Sequence, residues 1–352
     1  MTPHSLTAED LEFRPPEFPV EALEELARDV YGINGQPQQL RGERDQNLRL
    51  TTGAGESYVL KVANAYEDPG IVDFQIEGLR HLEATDPSLP TPRVVPTIDG
   101  ATSTELLGPD GSTHPTRLLT FLPGDAFDEE SIQGLAAGQL RAVGSLLGRL
   151  CNALATFDHP HAEHFMAWDI SNGLVSSDAL WAYAEPDVVE LAGWTQEHLA
   201  TSGFALDSTR RHQIIHNDAH PGNILRDPDT TSVGGLIDFG DMVVAPLANE
   251  LAIPGISFVN AGPTPLDALT PIISGFHDEY PLDAKDIAVL YDSITARGVL
   301  TALLFDFQIA ECPHMSEEIR SSKPRAMNHL TSWLAQDSNE FLNHISTALD
   351  VT

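Results

Sequence analysis

The chain has 352 residues, 41% hydrophobic and 20% charged. That is near two domains at roughly 150 residues each, with enough apolar content to exclude wholesale disorder. Its 52 Asp and Glu against 19 Lys and Arg give a formal net charge of -33. Self-repulsion on that scale keeps a surface wetted and argues against nucleic acid and anionic membrane as partners.

In chain order, residues 18–31 carry apolar side chains at helical spacing, with Phe18, Val20, Leu23, Leu26, Ala27 and Val30 on one stripe. A strand-rich stretch follows at Gln38–Leu40, Leu48–Thr52 and Ser57–Val62, with Gly53-Ala54-Gly55-Glu56 as a hairpin turn. Ile71–Leu82 suits a helix carrying Glu77. Pro90, Pro92 and Pro96 punctuate the chain as loops and edge strands do, and Arg117–Leu122 is an apolar strand broken by Pro123-Gly124. Beyond that break the pattern turns helical. Leu140, Val143, Leu147, Leu150 and Leu154 mark one long helix. Further helical runs are expected near 178–200, 247–258, 284–311 and 328–348. Two short strand-like pieces, Gln213–His216 and Gly235–Asp238, flank an irregular loop.

The order implies an α+β chain: a small β-rich part over 1–122, with a five-stranded antiparallel sheet, then a larger helical part over 123–352. No window of 18 apolar residues marks a membrane span, and Met1 to Pro16 lacks the basic start and apolar run of a signal peptide. Cys151 sits in an apolar helical run and reads as a buried small hydrophobe. With Cys312 it forms no disulfide framework, which fits a reducing, cytoplasmic setting.

The loop reads His216-Asn217-Asp218-Ala219-His220-Pro221-Gly222-Asn223 and is followed by Ile237-Asp238-Phe239-Gly240-Asp241. Phosphoryl transfer from ATP needs a carboxylate to orient and deprotonate the attacking hydroxyl, oxygen ligands for Mg²⁺, and a cation on the phosphates. Asp218 can be the base, with Asn223 and Asp238 as the ligands. Asp218 precedes Asn223 by five positions and Asp238-Phe239-Gly240 follows, the spacing of kinase catalytic loops. One amide oxygen and one carboxylate suit Mg²⁺, which keeps several waters. Lysine occurs only as Lys61, Lys285 and Lys323, so the one inside a strand-like run, Lys61, stands out.

Residues 214–240 resemble the aminoglycoside phosphotransferase and choline kinase superfamily, with its H-x-D-x-H-x-x-N signature. More narrowly, Ile237–Ala252, Gly42-Glu43-Arg44-Asp45-Gln46-Asn47 and His164-Phe165-Met166-Ala167-Trp168-Asp169 resemble the hydroxylysine kinase group. The resemblance spans about 20–340 and implies a protein-kinase-like two-lobed fold binding ATP between its lobes. It implies Asp218 as catalytic base, Asn223 and Asp238 on Mg²⁺, and Lys61 on the α- and β-phosphates, paired with Glu77. A hinge at Thr120–Leu122 would hold adenine, and the loop Gly42–Asn47 would cover the phosphates, although it has one glycine where protein kinases have three.

Each residue has a plainer reading. Asp218 alone would be a turn residue and Asn223 a helix cap. Lys61 alone would be a surface lysine, and Glu77 a solvated helix face. His216 and His220 bracket Asp218 but lack the further ligands of a metal hydrolase, and read as loop-orienting hydrogen-bonders. Asp241 and Asp169 are candidates for a cationic group on a small-molecule acceptor, with Asp306 and Glu311 behind them. The expected activity is therefore a Mg-ATP-dependent kinase acting on a hydroxyl of a small amino alcohol such as 5-hydroxylysine. The rivals are an aminoglycoside-type antibiotic phosphotransferase, a homoserine or choline kinase, a non-catalytic nucleotide-binding regulator, and a phosphohydrolase built on His216 and His220.

Overall fold

The computed structural model describes residues 14–42, 44–171, 177–201, 210–227, 233–312 and 316–351. The expectation for the extreme N-terminus, up to Phe13, and Glu43 of the Gly42–Asn47 loop lie outside them. The chain forms two compact units: one runs from Glu12 to Pro123 with His159–His161, the other comprises Gly124–Asp158 and Ala162–Thr352.

The first unit opens with helix α1 (Val20–Tyr31), stopped by Gly32 in the left-handed conformation at φ 70°, where a residue without Cβ ends a helix cheaply. Strands β1 (Gly35–Leu40), β2 (Gln46–Thr52) and β3 (Ser57–Val62) form an antiparallel meander. Helix α2 (Pro69–Thr85) starts where Asp68 accepts the Gly70 amide at 2.8 Å, with Pro69 as first residue. Strands β4 (Val94–Val95), β5 (Thr104–Leu107) and β6 (Thr113–Thr120) complete the sheet.

Among the described residues the sheet has six strands, not the expected five. The short strands β4 and β5, which the sequence pattern did not mark out, both pair with β6 and lie in the proline- and turn-rich stretch, too brief to show a period of two. One face is the core: Leu48 and Leu50 from β2, Leu60 and Val62 from β3 and Leu118 from β6 bury against Leu23, Ala27 and Tyr31 of α1. Alternation then sends Asn47, Lys61 and Arg117, which are direct cross-strand neighbours, to the opposite face.

The second unit is helical around two small two-stranded sheets. Helix α3 (Glu129–Ile132) precedes α4 (Ala137–Leu154). Strand β7 (His212–Ile215) pairs with β10 (Val243–Pro246), and β8 (Ile224–Arg226) with β9 (Val233–Leu236). The expected run at 178–200 is two helices, Ser177–Trp181 and Pro186–Thr201. The run at 284–311 breaks at Val289 into Ala284–Ala288 and Leu290–Glu311, and the last run is Ser316–Leu334 and Ser338–Ala348. Cys151 and Cys312 are buried, and neither is in a disulfide. Among the described residues no helix is long and apolar enough to cross a membrane.

Helix α4 carries β7 toward the irregular loop. Gln213 donates to Cys151 O at 2.9 Å and accepts from the Tyr280 hydroxyl at 3.0 Å, tying β7 to α4 and to helix Pro265–Glu279. These two helices meet backbone to backbone. A Cβ built on Gly144 would collide with Ile272 O, and one on Gly275 with Arg141 O. No side chain can yield to relieve a clash with backbone, so Gly144→Val should destabilise the chain by about 1–3 kcal/mol or more, the cost of overpacking. Chemical denaturation measures this, and an unchanged midpoint would contradict the crossing.

Candidate active site

The irregular loop between β7 and β8 and the turn after β9 each hold a backbone position that L-residues rarely adopt. Asn217 and, beyond β9, Asp238 both have φ of 63°. Each costs on the order of 1–3 kcal/mol and persists only where neighbours over-determine it.

The neighbours are visible. His216 is fully buried; its Nδ1 accepts the Asp218 amide at 3.2 Å, so its Nε2 carries the proton and donates to Ile237 O at 3.1 Å. Its ring stands edge-on to Phe239 at 4.7 Å. Burial pushes the imidazole down to about 4, which keeps it neutral and in that tautomer at ordinary pH. One imidazole thus clamps the segment bearing Asp218 to the segment bearing Asp238, and the Ile237 amide donates back to Asn223 O at 3.0 Å.

Asn223 lies five residues after Asp218 and returns to it. Its Nδ2 donates to Asp218 O at 2.9 Å and to Asp218 Oδ2 at 2.7 Å. Both bonds run through nitrogen, which leaves Oδ1 as an oxygen donor for a hard cation. Asp238 is exposed, and its side chain makes no capping bond to the turn it starts, Phe239–Asp241. An amide oxygen and an exposed carboxylate fit Mg²⁺. Asp218 keeps 23% of its side chain exposed, enough for a hydroxyl to reach it. His220 turns its Nδ1 to the Gly222 amide at 3.0 Å, shaping the turn.

In the other unit, Lys61 pairs with Asp45 at 3.3 Å, with both side chains largely buried. The expected Lys61–Glu77 pair is absent, because Glu77 binds Arg80 at 2.7 Å, one turn away on the same helix. The buried face of α2 is made by Val72, Gln75, Ile76 and Leu79. Glu77, two residues past Gln75, is rotated about 200° from it and faces away from that side. Gly42 sits in a turn so tight that a Cβ would meet Asp45 O, and Asn47 Nδ2 closes it by donating to Arg41 O at 3.1 Å. In the hinge, the Thr120 and Phe121 amides are already spent on Arg93 O and Ser57 O. Leu122 lies beyond the last pair of the ladder.

Residues 37–270, about two-thirds of the chain, match the model of the APH phosphotransferase enzyme family. The chain belongs to that family. The hydroxylysine kinase of Danio rerio is 24% identical over 321 residues, covering 87% of this chain and 89% of the relative. Among solved structures, the amicoumacin kinase hAmiN in complex with AMP-PNP, Ca²⁺ and Ami superposes with a TM-score of 0.68 at 16% identity, covering 89% and 93% of the two chains. A microcompartment-associated aminopropanol kinase gives 0.67 at 18%, covering 93% and 99%. The protein-kinase-like α+β fold expected from the sequence is therefore the fold of this phosphotransferase.

Sequence reading missed the residue on which the acidic groups converge. Arg297, on helix Leu290–Glu311, is buried; its Nη1 donates to Trp168 O at 2.6 Å and its Nη2 lies 3.8 Å from Asp218 Oδ1. Burial depresses the guanidinium, while Asp218, Asp241, Asp169 and Glu250 oppose that shift. Asp241 and Asp169, both buried, thus belong to one electrostatic cluster with Asp218. Asp306 is committed elsewhere: it binds Lys323 at 2.6 Å and accepts the Glu185 amide at 2.8 Å. Glu311 accepts from the Tyr183 hydroxyl. A lone arginine in an apolar helical run carries no local motif, so spacing could not have found Arg297. Removing one member of a buried ion cluster typically costs about 3–5 kcal/mol. Arg297→Met should lose stability on that scale in denaturant titration, and a variant as stable as wild type would show the carboxylates do not need it.

Glu250, fully buried behind the loop, accepts the strained Asn217 amide at 3.1 Å through Oε2. Burial pushes its carboxyl up from 4.5 to about 7. Between those values the native chain holds a proton that the unfolded chain has released, so this group weakens the fold as pH rises through that window. Glu250→Gln keeps the acceptor and removes the ionisation. Its stability relative to wild type should grow from pH 4.5 to about 7 and then level off. Denaturation across that window checks it, and a pH-independent difference would refute the assignment.

Proposed function

We propose that this phosphotransferase moves the γ-phosphoryl group of ATP, with Mg²⁺, onto a hydroxyl of a small amino alcohol of the 5-hydroxylysine type. The observation that carries the reading is the clamp at the loop. Asp218 is held by Asn223 at 2.7 Å, and its segment is tied through His216 to the segment of Asp238. Asp218 accepts the hydroxyl proton as the oxygen attacks the γ-phosphorus, and ADP departs. Asn223 and Asp238 would hold Mg²⁺, which would supply charge neutralisation on the phosphates. Lys61 supplies the cation on the phosphate chain, and Leu122 the backbone groups for adenine. Asp169 and Asp241 are the carboxylates for the acceptor's ammonium group. Hydroxylysine kinases match over most of both chains, which favours an amino alcohol.

The second reading, an aminoglycoside-type acceptor, has its own support in the local match to the aminoglycoside 3'-phosphotransferase of Streptomyces ribosidificus, 36% identical over 145 residues and 38% of this chain. A net charge of -33 would also attract a polycation.

The test is ADP formation from Mg-ATP against 5-hydroxylysine, choline, ethanolamine, homoserine and an aminoglycoside. Turnover with 5-hydroxylysine supports the first reading, turnover with the aminoglycoside alone replaces it with the second, and turnover with none defeats both. Asp218→Ala should lower kcat about 10²–10⁴-fold while ATP still binds, since general-base catalysis contributes on that order; wild-type turnover would remove Asp218 from its role.

A further inference from the structure

We propose that Arg117 is a second phosphate-binding cation beside Lys61, and that Asp45 competes with phosphate for both. The inference rests on the reading that the chain uses ATP, and it concerns the sheet face opposite α1. Lys61 on β3 and Arg117 on β6 are direct cross-strand partners, so their side chains leave the sheet on the same side. They converge on one atom: Asp45 Oδ2 lies 3.3 Å from Lys61 Nζ and 3.2 Å from Arg117 Nη2. A single carboxylate oxygen held between two cations occupies the kind of position a phosphate oxygen takes.

Three further features separate this from an ordinary structural ion pair. Arg117 is 4% exposed, and Gln75 Oε1 accepts from its Nη2 at 2.8 Å, which sets the plane of the guanidinium. Its Nη1 is buried with no hydrogen-bond partner among the described residues. An arginine normally fills its donors when buried, so a fork with one arm unused has capacity for another acceptor. Finally, both side chains reach the same carboxylate oxygen, Asp45 Oδ2, from neighbouring strands. Arg49, on the same face, behaves differently: it stacks on Phe121 at 3.9 Å and donates to Ser57 Oγ, so it is engaged in packing.

Asp45 is suited to being displaced. It comes from the turn between β1 and β2, not from a helix, and it lines a groove of about 530 Å³ bounded by Pro15–Pro19 and Leu40–Gly42. The carboxylate can swing toward that groove without breaking the β2–β3 ladder. Phosphate oxygens carry more charge than one carboxylate and present several acceptors, so they can engage Lys61 and both arms of Arg117 together. Asp45 then sets how tightly polyphosphate binds, a role that the helix glutamate of the expected pair would otherwise occupy.

The experiment measures the affinity of the full chain for ATP, ADP and AMP in wild type, Asp45→Asn, Arg117→Gln, Arg117→Lys and Lys61→Gln, with thermal melts as the folding control. Asp45→Asn keeps the shape and removes the competing charge, so ATP and ADP should bind several-fold tighter. Arg117→Gln should weaken ATP by roughly tenfold, the scale of one charge-assisted hydrogen bond, with partial recovery in Arg117→Lys. If Arg117→Gln does not fold, the Asp45→Asn result decides alone. Unchanged or weaker ATP binding by Asp45→Asn overturns the competition. If Lys61→Gln loses ATP while a folded Arg117→Gln binds it as wild type does, the nucleotide reading stands and this inference falls. A wild-type chain that binds no Mg-ATP defeats that reading and this inference together.

Discussion

One buried guanidinium organises the acidic half of this protein. Asp218, Asp241, Asp169 and Glu250 would repel one another in a medium of low dielectric, and the surrounding chain, at -33, offers few cations to separate them. Arg297 meets that constraint from the middle of a long helix, held by Trp168 O and lying above the Trp168 ring at 5.4 Å. Arginine suits the position because it keeps its charge under desolvation and offers five donors in a fixed plane. The charge of Arg297 therefore lowers the cost of gathering these carboxylates around the site.

The strained backbone at Asn217 and Asp238 is the second consequence of that clustering. Neither residue is glycine, yet both sit in the left-handed region. The conformations are held from opposite sides: Glu250 accepts the Asn217 amide, and His216 links the Asp218 amide to Ile237 O. Neutral His216 and the protonation-prone Glu250 respond to pH in opposite senses. His216 favours folding as pH rises from its depressed value toward 6.5, while Glu250 disfavours it from 4.5 toward 7. The two act in opposite senses across mildly acidic pH, and His220, pushed down by burial to about 4, adds to the His216 side.

The sheet of the first unit solves a different problem with the same economy. Period-two alternation gives β2, β3 and β6 one leucine- and valine-rich face for α1 and one polar face. The polar face gathers cations, and their counter-ion is a turn carboxylate, Asp45, instead of the helix glutamate. Tyr31 links the two faces' strands to α1 by donating to Thr116 O at 3.2 Å. Burial raises its phenol to about 12, which keeps it a donor.

The sequence by itself determined what is local. Asp218 and Asn223 lie within one short loop, so their spacing alone required that they meet, and Asp238-Phe239-Gly240 announced its turn. Alternating apolar residues marked β2 and β3, and the helical stripe at Leu140–Leu154 marked α4, because period is a property of neighbouring residues. What tertiary structure decided is which distant side chains share a charge. Lys61 could have met Glu77, but the rotation of α2 about its own axis put Gln75 on the buried side and sent Glu77 to Arg80. Arg297 lies 79 residues after Asp218 in the sequence, and nothing in the residues around it distinguishes it from an arginine at the surface. A helix phase and a helix crossing fix both outcomes, and these depend on packing against elements far away in the chain, where sequence spacing carries no information.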